Sequence, residues 1–211
     1  MTSAKLTADT SARQSMLDRI VTHQVDGPAL PDIEMDRVIT FDDPVAKFEE
    51  MLGMVGGEVH HVKTGADVEA VLKSIPVYAK AHRVVSLVPE AISGTVNLDG
   101  MDDPHDLSTL DWTIARGEFM VAENGAIWVD GSSLPHRVLL FIAQYLAIVV
   151  PSAEILCNMH QAYQRIEKFG SRFGIFVSGP SKTADIEQSL VLGAHGCRTL
   201  QVFIVDQLGP G

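Results

Sequence analysis

Cysteine is scarce in this sequence, and its scarcity limits the cofactors that the chain can hold. The two cysteines of the 211 residues, Cys157 and Cys197, each lack a second cysteine nearby. A zinc ribbon or a Cys-ligated iron–sulfur cluster needs several thiolates at short spacing, so this chain alone can assemble neither. We therefore expect no resident cofactor, and we expect any redox chemistry to be supplied by a partner.

Positive charge and long apolar runs are also in short supply. Lys and Arg number 16 against 27 Asp and Glu, which gives a formal net charge of -11. Nucleic acids and anionic lipids select cationic surfaces, so neither is an expected partner. The most apolar stretch, residues 138–150, is shorter than a membrane-spanning helix, and the start of the chain lacks the apolar core of a secretory signal. These features predict a cytoplasmic protein without membrane insertion.

Nucleotide and metal motifs are missing as well. The glycines at Gly56-Gly57 and at residues 193–196 do not form a GxGxxG or Walker pattern, so no dinucleotide or nucleoside triphosphate is predicted. His60 and His61 are adjacent on a predicted strand and face opposite ways, and His195 lies between glycines. No histidine shows the spacing of a metal-binding pair, and we predict no metal site.

The elements that the sequence does contain alternate between helix and strand. Apolar periodicity and end signals predict helices over residues 11–22, 44–55, 67–75, 152–169 and 184–192. Strands are predicted over residues 58–62, 83–88, 111–116, 119–123, 126–129, 146–150, 173–177 and 200–205. This alternation predicts an α/β fold with a mixed, largely parallel sheet flanked by helices. We predict that residues 1–43 form an N-terminal helix and linker and that residues 44–211 form the α/β domain.

Two segments interrupt that alternation. Asn124-Gly125 separates two apolar runs, which is a strong signal for a β-hairpin. Residues 93–110 are polar and contain glycine and proline, and a connection of that length often has a role as a lid or a partner contact.

The strongest local signal for ligand binding is the sequence SGPSKTADIEQS, residues 178–189. A polar loop that leads from a strand into a helix brings backbone N–H groups and the positive helix end together, as an anion site requires. Lys182 adds a charge, and Ser181 and Thr183 add hydroxyls. We expect this loop at the carboxyl end of its strand, beside the Asn124-Gly125 hairpin. The candidate ligand-binding residues are Ser178, Gly179, Pro180, Ser181, Lys182, Thr183, Asp185, Glu187, Asn124, Gly125 and His195.

A purely structural interpretation of the same residues stays open. Thr183 can be a helix N-cap, Pro180 can shape the turn, and Asp185 and Glu187 can complement the helix dipole. Glu123 also has two interpretations. It is either an exposed residue at a strand end or a catalytic carboxylate, acting as nucleophile or general base.

Three motifs together resemble a known family. SGPSKTADIE, LGAHGCRTLQVFIV and DWTIARGEFMVAENGAIWV are similar to the LUD family, and to its lactate-utilization C-type members in particular. The resemblance implies a fold related to CoA transferases, ribose-5-phosphate isomerase and glucosamine-6-phosphate deaminase. It also implies a place among the proteins that oxidise lactate to pyruvate. The Glu-Asn-Gly triplet at Glu123 resembles the catalytic glutamate motif of CoA transferases.

The motifs and the resemblance lead to three functional hypotheses. In the first, the chain is a non-redox component of lactate utilization that binds a small anion and works with iron–sulfur lactate-utilization proteins. In the second, it is a stand-alone enzyme that uses Glu123 on a CoA thioester or a sugar phosphate, and its partner is a further copy of itself in a homo-oligomer. In the third, it is a binding module that senses such a metabolite. Fold-level analogy does not separate these three hypotheses.

Overall fold

The structure is a computed structural model that describes residues 10–25, 27–28, 33–170, 173–184, 190–192 and 196–209. The chain divides into two compact units, Met1–Met35 and Asp36–Gly211. The described residues of the first unit contain one helix, α1 (Thr10–Thr22), which matches the helix predicted over residues 11–22. None of the helices described in the two units has the length and hydropathy of a membrane span.

The second unit is built on a central sheet of five parallel strands. These are β1 (Gly57–Thr64), β2 (Val84–Ser86), β3 (Trp112–Arg116), β6 (Tyr145–Pro151) and β11 (Thr199–Gln207). Their order in the sheet is β1-β11-β6-β3-β2, and every neighbouring pair is parallel. A parallel sheet needs apolar residues on both faces, which explains the uninterrupted burial of Leu146 to Val150.

A second sheet of four strands covers one face of the first. Its strands are β4 (Phe119–Val121), β5 (Ala126–Asp130), β7 (Ile155–Leu156) and β8 (Gly174–Val177), in the order β7-β4-β5-β8. Met120 and Ile127 pack towards the central sheet, whereas Phe119 and Trp128 pack on the other side. The alternation of side chains along β4 and β5 therefore joins two apolar layers.

Four α-helices flank the sheets in the described part of this unit. They are α2 (Pro44–Met54), α3 (Gly65–Ser74), α4 (Leu139–Ile142) and α5 (Met159–Ile166). α2 contributes Phe48 and Leu52 to the core between the sheets, and α3 packs on the opposite face of the central sheet through Val68 and Leu72. The mixed α/β architecture predicted from the sequence, with its largely parallel sheet, is confirmed.

Side-chain caps explain where two of these helices begin. Asp43 accepts a hydrogen bond from the Ala46 N–H at 3.0 Å and precedes Pro44, as the sequence predicted for α2. For α5, however, the predicted start after Pro151 is wrong. Residues 155–156 pair with β4 instead, and the helix begins only after Asn158, whose carboxamide oxygen accepts from the Gln161 N–H. The apolar spacing that suggested a longer helix partly serves this strand pairing.

The long connection at residues 93–110 packs against the sheet. The N–H groups of Thr95 and Val96 donate to the Val84 carbonyl at 2.8 and 3.0 Å, so they occupy the outer edge of β2. Apolar side chains of the connection, Leu107 among them, pack around Val85 and Leu139. The connection therefore covers a strand edge that would otherwise be open to pairing with another chain.

Asp111, which precedes β3, ties the start of the second strand in place, and its replacement is a test of this contact. Its carboxylate accepts from the N–H groups of His82 and Arg83 at 2.8 and 2.9 Å. Burial raises the pKa of Asp111, but the hydrogen bonds from Arg83 and His82 outweigh it, and the net pKa is lowered. We expect Asp111→Asn to reduce the free energy of unfolding at neutral pH by about 1 kcal/mol, because an amide is a weaker acceptor than a carboxylate.

The sign of the pKa shift predicts how this loss depends on pH. A carboxyl whose pKa is lowered in the folded state stabilises it above the unfolded-state pKa of about 3.9, and that contribution is lost as the pH falls through the folded-state pKa. In urea titrations, the difference in the free energy of unfolding between wild type and variant should therefore shrink below about pH 4. Asp102→Asn is the control, since Asp102 is exposed and makes no hydrogen bond with other described residues. A gap that stays constant with pH would contradict this account.

Candidate functional site

The loop Ser178–Lys182 follows β8 and leads into an extended segment. Residues 182–184 form β9 (Lys182–Ala184), which pairs antiparallel with β10 (Leu190–Leu192). The predicted helix over residues 184–192 is therefore wrong at both of its described ends. The backbone groups of these ends bond to each other across the strands, and β-branched Thr183 and Val191 favour that conformation. The described residues of this segment therefore supply no positive helix end to the anion site.

The position of the loop also differs from the usual place of ligand sites in open α/β sheets. The loop follows the carboxyl end of β8 in the smaller sheet, yet it lies at the amino edge of the central sheet. The Ser181 N–H donates to the Cys197 carbonyl at 2.9 Å, just before β11 begins. Gly56, just before β1, has positive φ, and a Cβ there would lie 3.6 Å from Pro180 Cγ. Ligand sites of such sheets usually lie beyond the carboxyl edge.

The hairpin between β4 and β5 meets this loop directly. The Ser178 hydroxyl donates to the Asn124 carbonyl at 2.9 Å, so the two motifs that the sequence singled out lie side by side. The β-hairpin itself is confirmed, with Phe119 opposite Trp128. The Asn124 side chain accepts from the Ala126 N–H at 3.1 Å and shapes the turn.

Both loops rest on the last turn of α2, which sequence reasoning did not associate with the site. Gly125 has a φ of 62°, and a Cβ there would lie 2.6 Å from the Leu52 backbone nitrogen. Gly179 has a φ of 77°, and a Cβ there would lie 2.6 Å from the Val55 carbonyl oxygen. Each glycine is needed both for its backbone conformation and for the close approach of α2. The glycines were visible in the sequence, but their common neighbour was not.

A cavity of about 320 Å³ opens beside the loop. Its polar lining comes from Ser178, Ser181 and Lys182, and Cys197 and Gly196 also line it. The apolar lining residues are Leu140, Phe141, Leu146, Ile175, Phe176 and Val177.

The residues predicted for the site divide into three groups. The loop residues Ser178, Gly179, Pro180, Ser181 and Lys182 line the cavity. Glu123, Asn124 and Gly125 lie in the adjoining hairpin and are not among the described residues that line it. Asp185, Glu187, His195 and the side chain of Thr183 lie outside the described part of the chain. The catalytic role of Glu123 stays a prediction.

Two features set the electrostatics of the cavity. Burial raises the pKa of the Cys197 thiol, so this side chain is neutral at pH 7. Lys182 is exposed and makes no ion pair with any other described residue. Lys182 is thus the one charged side chain among the described lining residues. In a chain with a net charge of -11, an unpaired cation at a cavity is a natural contact for an anion.

The hydroxyl groups of the loop have different roles. The Ser178 proton is used in the bond to the Asn124 carbonyl, so this residue joins the two loops. The half-buried Ser181 hydroxyl donates to no other described group. A Cβ at Gly196 would lie 3.2 Å from Ser181 Oγ, so the glycine leaves space around it. Ser181 and Lys182 are therefore the donors that a ligand can meet.

The histidines on β1 have partners of other kinds. His60 Nε2 is 2.6 Å from Gln201 Oε1, and its ring stacks on Phe203. His61 contacts the Glu49 carboxylate. Within the described ranges, no three His, Cys, Asp or Glu side chains are grouped as metal ligands.

Comparison with known proteins gives a consistent pattern. The family model described as LUD domain matches residues 99–205, which include the hairpin and the loop. Lactate utilization protein C of Shouchella clausii is 24% identical over 195 residues, covering 83% of this chain and 85% of that protein. The protein of the same name from Geobacillus kaustophilus is 33% identical over 101 residues, covering 44% of this chain and 42% of that protein.

A solved structure supports the fold. The crystal structure of a DUF162 family protein from Deinococcus radiodurans superposes with a TM-score of 0.55 at 22% identity. The superposition covers 77% of this chain and 96% of the other.

Proposed function

Because the chain belongs to the LUD domain family, we propose that it takes part in lactate utilization as a component that binds a small carboxylate. The similarity to relatives named lactate utilization protein C supports a role in lactate utilization. The two-cysteine sequence supports a non-redox role, in which partner proteins carry the iron–sulfur clusters. The observation that carries the binding proposal is Lys182 at the cavity of the Ser178–Lys182 loop, where it forms no ion pair with another described residue.

The geometry suits a carboxylate such as lactate or pyruvate. Lys182 supplies the charge, and the Ser181 hydroxyl, which donates to no other described group, supplies a second donor from the adjacent residue. A charge-assisted hydrogen bond is roughly twice as strong as a neutral one. The bond between Ser178 and Asn124 holds the start of this loop against the hairpin, so the backbone that carries the two donors is positioned before the ligand arrives.

Replacement of Lys182 tests the proposal. Lys182→Ala is expected to weaken lactate or pyruvate binding by about 1.5 to 3 kcal/mol, which is the range for a hydrogen bond to a charged group. The stability should hardly change, because the side chain is exposed. Calorimetric titration of both proteins with lactate, pyruvate and inorganic phosphate gives the affinities.

Lys80→Ala is the matched control. Lys80 is also exposed but lies in the turn after α3, away from the cavity, so its loss changes the net charge by the same amount. The control should bind like the wild type. No binding by the wild type, or equal binding by the wild type and Lys182→Ala, would refute the proposed site.

A further inference from the structure

We infer that the cavity beside Ser178–Lys182 accepts a carboxylate with an apolar chain longer than that of lactate, with a total of about ten non-hydrogen atoms. This inference rests on the anion site proposed above and specifies the class of its ligand. Three observations carry it: the volume of the cavity, the exposure of Phe141 and the separation of polar from apolar lining residues.

The volume exceeds what a three-carbon acid needs. One water occupies about 30 Å³ in the liquid, and at that volume for each non-hydrogen atom lactate needs about 180 Å³. The cavity measures about 320 Å³. It therefore has space for about four more non-hydrogen atoms at the same volume for each.

Phe141 shows what should fill that space. Phe141 lines the cavity and has 45% of its surface exposed to solvent, whereas Phe48, Phe119 and Phe203 are fully buried. Exposed apolar surface is unfavourable in water, at about 25 cal/mol for each Å². An apolar ligand chain against Phe141 would remove this surface from water, which a small polar acid would not do. The neutral thiol of Cys197 adds no charge to oppose it.

Polar and apolar groups come from different parts of the chain. The donors Ser181 and Lys182 belong to the loop after β8. The apolar lining comes from the strand before that loop, from α4 and from Leu146 near the start of β6. A ligand with one charged end and one apolar end matches this arrangement, since its carboxylate can meet Lys182 while its chain lies along α4 and β8.

A series of straight-chain carboxylates tests the inference on the wild-type protein. Calorimetric titration with acetate, butanoate, hexanoate, octanoate and decanoate should show affinity rising about two- to fourfold for each methylene, because a fully buried methylene contributes about 0.8 kcal/mol. The gain should level off near octanoate, where the cavity is full. Octan-1-ol, the uncharged analogue, should bind at least about tenfold more weakly than octanoate, because it lacks the charge that meets Lys182.

Two variants locate the apolar part of the site. Phe141→Ala should reduce the gain for each methylene while leaving acetate binding unchanged. Val77→Ala is the control, because Val77 is an exposed apolar residue in the turn after α3 and does not line the cavity. It should reproduce the wild-type series.

The possible failures are distinguishable. If acetate and lactate bind, weaken on Lys182→Ala and show no gain with chain length, the inference is overturned and the anion site remains. If no carboxylate of any length binds, or if octanoate and octan-1-ol bind equally, the anion site fails and the inference fails with it. A gain that continues unchanged from octanoate to decanoate would also overturn the inference, because a cavity of this volume is already filled by octanoate.

Discussion

Replacement of Gly125 by alanine is expected to lower the free energy of unfolding by about 2 to 5 kcal/mol. A left-handed backbone costs a non-glycine residue roughly 1 to 2 kcal/mol, and forced overpacking adds about 1 to 3 kcal/mol. Gly125 meets both conditions, with a φ of 62° and a position for Cβ only 2.6 Å from the Leu52 nitrogen. Urea denaturation followed by circular dichroism measures the loss.

Gly100→Ala separates the two contributions. Gly100 has a similar φ of 74°, but a Cβ there would meet no atom within 4 Å. It should therefore cost only the backbone strain of roughly 1 to 2 kcal/mol. Equal losses for the two variants would show that the contact with α2 does not matter. The Asn124 carbonyl, next to Gly125, accepts the hydrogen bond from the Ser178 hydroxyl and so links this turn to the binding loop. Gly125→Ala should therefore weaken carboxylate binding more than Gly100→Ala does.

Replacement of Trp112 by alanine should lower the free energy of unfolding by about 3 to 5 kcal/mol, as expected when a large aromatic side chain is removed from a core. Trp112 is fully buried on β3 and stacks on Tyr145 with ring centroids 5.0 Å apart, while Tyr78 meets it edge-on. The resulting cavity would lie in the part of the core between the central sheet and α3. Urea denaturation of both proteins, followed by far-ultraviolet circular dichroism, measures the loss in the free energy of unfolding.

Trp112→Phe is the matched control for the indole. It keeps an aromatic ring and removes Nε1, which is buried without a hydrogen-bond partner in the described structure. The smaller ring volume should destabilise the protein, whereas removal of the buried, unpartnered Nε1 should stabilise it. We therefore expect the free energy of unfolding to change by less than about 1.5 kcal/mol. Trp128 is then the one remaining tryptophan, and its fluorescence reports whether the outer layer unfolds together with the centre. A Trp112→Ala loss no larger than that of Trp112→Phe would contradict this packing.

The local elements were largely predictable because their signals are local. Asp43-Pro44 marked the start of α2, and Asn124-Gly125 marked the hairpin, since caps and turns depend on neighbours a few residues away. The helix predictions for residues 152–158 and for the described ends of 184–192 failed. Their apolar spacing fits a helix, but the backbone groups of residues 155–156, 184 and 190–192 pair with other strands instead. The LUD family predicted from three motifs is confirmed.

The sequence by itself therefore determined the fold class, the family and the residues of the loop Ser178–Lys182. Only the tertiary structure decided that this loop lies at the amino edge of the central sheet, and that Phe141 and Cys197 share a cavity with Lys182. The bond from Ser178 to Asn124 spans 54 positions, and both glycine turns meet α2, which lies far earlier in the chain. Periodicity and turn signals describe only neighbours along the chain, whereas a site is made by packing between segments that are distant in sequence.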